Sequence, residues 1–315
     1  MFADEWMVII GMMLRWRAPA TDRTYVLLEF GRLVAAVGST PDEQLAAGEA
    51  AAARFAGALP ALGVTDATAP ALAGVFEEVL AALDAHMAAG HAFLLGLEPG
   101  LGDAALGGTL YAHALRDPAS GHAIKREHPV AAEWIDRAAG NLPARVRGHT
   151  VTEAGAVVRA PRVRRDPLAA ADALPPSLLP LLAISLREQA PILRTAVDAV
   201  TAWARRAPRG ARLPRTMGEA AFEVVGGGVS RPAAAGRRMV YPHAVWKLQR
   251  VLDHVASLPA ATAARVDAAL ACVDGWAALR ALDVSRCRLR RVSNRLQLDS
   301  ALIDRARPAA GVARL

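Results

Sequence analysis

Apolar residues recur every three or four positions from the start of the chain. Trp6, Ile9, Met13 and Trp16 lie along one stripe, the mark of a helix that buries one face. The same period continues through residues 25–37. Thr40-Pro41-Asp42-Glu43 then sets an N-capping threonine before a proline at the first helical position and a glutamate at the third, so a helix is predicted from here to about Ala58. Over residues 69–89, Leu72, Val75, Phe76, Val79, Leu80 and Leu83 form an apolar face opposite Glu77, Glu78 and Asp84.

The pattern changes after residue 140. Residues 141–175 carry Arg145, Arg147, Arg159, Arg162, Arg164 and Arg165 among glycines and prolines, with no sustained helical period. They read as a solvated crossing or linker, with an anion-binding strip as the alternative. A long helix is predicted over residues 177–206, with Leu178, Leu182, Ile184, Ile192, Leu193 and Val197 inward and a kink at Pro191. Residues 222–225 and 238–241 flank Gly226-Gly227-Gly228 and predict a small hairpin with a wide turn. Helices over 242–258 and 262–282 follow, with Trp246 and Trp276 as core anchors. Arg286, Arg288, Arg290, Arg291 and Arg295 form the densest basic run, read as a solvated edge strand or helix or, alternatively, as a contact for an acidic surface.

Composition sharpens the fold class. Hydrophobic residues make up 53% of the 315 and aromatics only 5%, a balance that favours helix over sheet, so the chain is predicted to be all-α. The net charge of +7 points to no nucleic-acid partner, because every basic residue except Lys125 and Lys247 is arginine, a compositional skew rather than a binding device. The two cysteines, Cys272 and Cys287, form neither a disulfide framework nor a paired metal motif, which implies a reducing, cytoplasmic setting. Acidic residues at the start and Arg15 and Arg17 soon after predict neither a secretory signal nor a membrane span.

Phe93-Leu94-Leu95-Gly96-Leu97-Glu98-Pro99-Gly100-Leu101-Gly102-Asp103, followed by Pro129-Val130-Ala131-Ala132-Glu133-Trp134-Ile135-Asp136-Arg137, resembles the C-terminal helical domain of the glutathione S-transferase family. The matching positions are Leu95, Gly96, Pro99, Asp103, Pro129, Trp134 and Arg137, and the first helix, with its Phe2-Ala3-Asp4-Glu5-Trp6 opening, adds weaker support. The family usually caps the helix at Asp103 with Ser or Thr. Gly100 stands there instead, so only half of the capping box is expected, through Asp103 and the Gly100 backbone N–H.

The resemblance implies a glutathione S-transferase C-terminal-type bundle over residues 1–142, an Arg/Pro-rich linker over 143–175, and a helical extension with a small hairpin over 176–315. It implies that Trp6, Ile10, Met13 and Tyr111 form the hydrophobic wall for a small apolar electrophile, the second substrate of glutathione conjugation. It places the glutathione-binding thioredoxin-like domain upstream of Met1, so that the chain alone is inactive and has no catalytic residue or cofactor of its own, glutathione being a co-substrate only with that domain present. An apolar patch at Phe2, Trp6, Met13 and Trp16, and with it a homodimer or other self-association, is expected. The alternative is a non-enzymatic helical domain that holds a protein partner.

Other motifs carry little. Gly100-Leu101-Gly102-Asp103-Ala104-Ala105 fits a dinucleotide loop only by spacing, since Asp103 sets a carboxylate where pyrophosphate would sit. His86 and His91, five apart, are read as surface or capping residues and not as metal ligands. Tyr111 and His113 are expected on different helix faces, and Asp299-Ser300 is a poor match to a γ-glutamyl site.

Overall fold

The computed structural model describes residues 1–142, 149–151, 157–159, 174–225 and 233–299. The architecture is mostly helical, as the residue pattern predicts. Helix α1 (Val8–Trp16) follows directly on a π-turn, Ala3–Met7, and α2 (Ala20–Val34) and α3 (Pro41–Gly57) form a helical hairpin. Thr40 and Glu43 make the predicted reciprocal cap of α3: Thr40 Oγ1 accepts from the Glu43 N–H at 3.3 Å, and the Glu43 carboxylate accepts from the Thr40 N–H at 2.7 Å. The hairpin closes because Gly31 and Gly48 lack side chains. A methyl on either would sit 1.8–1.9 Å from a carbonyl oxygen of the facing helix, that of Gln44 or Leu27.

Helix α4 (Ala69–Ala88) buries Leu72, Val75, Phe76, Val79, Leu80 and Leu83, the predicted face. Helix α5 (Leu101–Leu110) passes into a second π-turn, Tyr111–Leu115, before α6 (Pro118–Glu127) and α7 (Pro129–Ala138). Helix α8 (Leu179–Ala204) continues through Pro191.

The strands form three separate antiparallel pairs: β1 (His149–Val151) with β2 (Val157–Arg159), β3 (Glu219–Val224) with β4 (Ala234–Met239), and β5 (Leu289–Val292) with β6 (Arg295–Leu298). The first pair lies within the segment read as a crossing. The second is the predicted hairpin, running from Glu219 opposite Met239 to Val224 opposite Ala234, with the triple glycine outside the described residues. Of the arginine strip, the side chains of Arg145, Arg147, Arg159, Arg162, Arg164 and Arg165 also lie outside them, as does Ser300.

One expectation is corrected. The single helix over 262–282 is two, α10 (Ala260–Leu270) and α11 (Trp276–Arg280), after α9 (His243–Ser257). Gly275 breaks it: its φ of +84° is left-handed, and a Cβ there would meet the Leu186 backbone at 2.8 Å, so the chain turns where it presses on α8. The arginine run forms the solvated edge strand that was one reading of it, with Arg290, Arg291 and Arg295 exposed, and it folds back as a hairpin because Ser293 and Asn294 take φ values of +46° and +59° and reverse the chain in two residues.

Two apolar cores result. The first holds α1, α4, α5 and α7, together with Leu181, Ile184 and Ile192 of α8 and Phe222 and Val224 of β3; the second holds Leu193, Ala196 and Val200 of α8 with α9, α11 and β5. Helix α8 therefore belongs to both, and packing does not stop at residue 142. Among the described residues no helix is long and apolar enough to cross a membrane.

Candidate functional site

Trp6, Ile10 and Met13, expected to line an open wall, are closed in. Their exposures are 1%, 0% and 4%, and Trp16 is at 5%, while Tyr111 and Phe2 are half-buried. The expected exposed patch at Phe2, Trp6, Met13 and Trp16 is therefore absent from the structure. Helices α3, α4 and α5 pack on this segment, and two further contacts hold it closed. On one side α1 meets the second π-turn so tightly that a Cβ on Gly11 would lie 2.4 Å from that of His113. On the other, the C-terminal extension is latched to the first turn: Arg238 Nη2 donates to Glu5 Oε2 at 3.0 Å, and Lys247 Nζ to Asp4 Oδ2 at 2.5 Å. The larger exposed apolar side chains lie elsewhere, with Leu33 at 81% and Val34 at 60% near the end of α2 and Val37 just beyond it.

A small, half-open cleft, with a cavity of about 20 Å³, lies at the latch. Ile192, Ala196, Phe222 and Ala244 give it apolar walls, Thr195 and Tyr241 give it hydroxyls, and the Glu5–Arg238 pair forms its charged edge. Arg238 is buried over the face of Phe222, its guanidinium carbon 5.9 Å from the ring centre. Burial holds the Arg238 pKa below the ordinary guanidinium value, against the pull of Glu5. An anionic group reaching this edge would gain a partly desolvated charge partner.

Asp103 has the structural part that its capping position implies. Its Oδ2 accepts from the Gly100 N–H at 2.9 Å, and its Oδ1 accepts from the Leu94 N–H at 2.8 Å and from Trp134 Nε1 at 3.0 Å. Gly100 caps with its backbone alone. This carboxylate fills the N-terminus of α5, which leaves no room there for the pyrophosphate of a dinucleotide.

Among the described residues no group of His, Cys, Asp and Glu is arranged to hold a metal. His86 corrects the surface reading: it is fully buried, stacked on His91 at 4.5 Å, with Nδ1 2.9 Å from Ser177 Oγ and Nε2 unpartnered. Burial, with His91 adding to it, lowers its pKa. Cys287 is buried and its thiol pushed up by burial, which keeps it protonated and unreactive. The sequence alone had no means of finding Glu5 with Arg238, since their partnership crosses 233 positions.

Residues 46–137, from within α3 to near the end of α7, match the family described as glutathione S-transferase, C-terminal domain. That stretch is a glutathione S-transferase-like C-terminal domain. It contains all the positions that carry the resemblance, Leu95, Gly96, Pro99, Asp103, Pro129, Trp134 and Arg137, whereas α1 and the extension lie outside the matched residues. No curated protein and no solved structure matched the chain.

Proposed function

We propose that this glutathione S-transferase-like protein holds a small, largely apolar ligand that carries one anionic group, and that it does so in the cleft at the latch and not on an open helix wall. The observation that carries this reading is the pairing of apolar walls with the buried Arg238 at one edge. Concave, mostly apolar sites with one or two fixed polar groups are the usual form of small-molecule sites. Trp6, Ile10, Met13 and Tyr111, in this reading, support the helix that presents Glu5. Both π-turns fall among them, one holding Trp6 and the other opening at Tyr111, and such departures from α-helical bonding recur at functional sites. The second-substrate role implied by the family is kept, with the electrophile seated in the cleft beside Phe222 and Arg238. Pairing of two copies belongs to the same proposal and falls to the end of α2.

The second reading, a helical domain that holds a protein partner, loses the apolar wall as its docking face and is favoured instead by the exposed Leu33, Val34 and Val37 at the end of α2. An anionic apolar dye, anilinonaphthalene sulfonate, separates the two. Titrated into the folded chain, it is expected to bind saturably, and Thr195→Trp, which fills the cleft from a half-buried position, is expected to weaken binding at least tenfold. Unchanged binding by the folded variant would favour the interaction domain.

A further inference from the structure

The solvent face of α9 and the adjoining β5 strand form a basic surface that the cleft does not use. Helical spacing brings His243, Trp246, Lys247, Arg250 and His254 to this face. Gln249, on its flank, fixes the helix against β5 by a two-way bond: its Nε2 donates to the Leu289 carbonyl at 2.9 Å and its Oε1 accepts from the Leu289 N–H at 2.8 Å. Arg288 adds a fork to Asp253, at 2.7 and 2.5 Å. The positions of Arg250 and Arg291 relative to Trp246 are therefore set by the scaffold.

Both guanidinium carbons lie within 6 Å of the Trp246 ring centre, at 5.0 Å for Arg250 and 5.7 Å for Arg291. His243 stacks on the same indole at 5.2 Å, with ring planes 8° apart. Lys247 and Arg288 have carboxylate partners in Asp4 and Asp253. Arg250, Arg290 and Arg291 are exposed and meet no carboxylate among the described residues; Arg290 and Arg291 reach only the side-chain oxygens of Gln297 and Asn294. The positive field is felt locally, since Lys247 and Arg291 add to burial in lowering the pKa of His243.

We infer that this face docks an acidic segment of a protein partner, with its carboxylates held by the forks of Arg250 and Arg291 on the Trp246 platform. Charge complementarity selects an anion, and two guanidiniums steadied on one ring suit planar, bidentate carboxylate recognition. Arginine and tryptophan together are also the residues that dominate protein interfaces. A single-stranded nucleic acid fits less well, because its bases need open aromatic faces and the Trp246 ring is already covered by an imidazole and two guanidiniums.

The test uses the full chain, a fluorescein-labelled peptide of twenty glutamates, and a labelled single-stranded oligonucleotide of equal charge, read by anisotropy. The wild type is expected to bind the peptide saturably and more tightly than the oligonucleotide. Arg250→Glu with Arg291→Glu is expected to weaken peptide binding at least tenfold, Trp246→Ala several-fold, and the charge-matched control Arg32→Glu with Arg54→Glu less than twofold, all with native circular dichroism. Equal losses in the control and the α9–β5 variant would overturn the site. Tighter binding of the oligonucleotide would make the face a nucleic-acid surface and overturn the partner, and no saturable peptide binding would overturn both.

Discussion

Asp103 satisfies three donors, from a loop at Leu94, from the helix cap at Gly100 and from a helix 31 positions further along at Trp134. Only its bond to Gly100 is local enough to be legible in the sequence; the indole of Trp134 reaches it because α5 and α7 pack together. The histidines show the same division. His86 and His113 are held below the ordinary imidazole value of 6.5 chiefly by burial, with His91 and Arg15 adding to it. The unfolded chain takes up a proton that the folded chain resists, so each contributes stability above about pH 6.5 that is lost as the pH falls. His128 behaves oppositely. Burial, the largest single influence, pulls its pKa down, but hydrogen bonds to Asp84 and Glu77 at 2.7 and 3.2 Å outweigh it and the net shift is upward. Its contribution is full below the ordinary value and is lost as the pH rises through the folded one. Denaturant titrations at about pH 5.5 and 8.5 check both signs. The destabilisation caused by His128→Gln is expected to be larger at the lower pH, and that caused by His86→Gln smaller; a shift in the same direction for both would contradict these assignments.

At the scale of elements, the apolar period and the capping signals were sufficient for α1, α3, α4 and α8, because each of those helices carries its own buried face or its own cap, while α7 was legible through the family resemblance. They were insufficient where tertiary contact sets the boundary. Gly275 ends a helix through its approach to Leu186, and the β5–β6 turn uses Ser-Asn, a weaker hairpin signal than Asn-Gly. Gly31 and Gly48 passed unnoticed in the sequence for the same reason: their importance lies in the carbonyl facing them. Gly31→Ala is expected to destabilise the protein by about 1–3 kcal/mol, since the two helices must part to admit the methyl. Gly57→Ala, at the end of α3 with open space around it, is expected to be neutral or stabilising by up to about 1 kcal/mol. Thermal unfolding of the two variants checks the contrast, and equal melting temperatures would mean that α2 and α3 are not in close contact.

For the whole molecule, the all-α class and the glutathione S-transferase-like domain were legible, because they rest on composition and on a contiguous motif. The site was not. Trp6, Ile9, Met13 and Trp16 are legible as one apolar stripe, but a stripe does not reveal which surfaces cover it, and the cover here comes from α3, α4, α5 and the second π-turn. Asp4 and Glu5, informative in the sequence only as the wrong charge for a secretory signal, tie the C-terminal extension to the first turn through Lys247 and Arg238. The central claim is that the described residues offer an apolar, arginine-edged cleft and no pocket for a polar tripeptide. Among them no sheet exceeds two strands, so no multi-stranded thioredoxin-like sheet lies among the described residues. Calorimetric titration of the 315-residue chain with glutathione tests this directly. The account predicts no saturable heat below about 1 mM, near −4 kcal/mol, and a saturable micromolar site would contradict it.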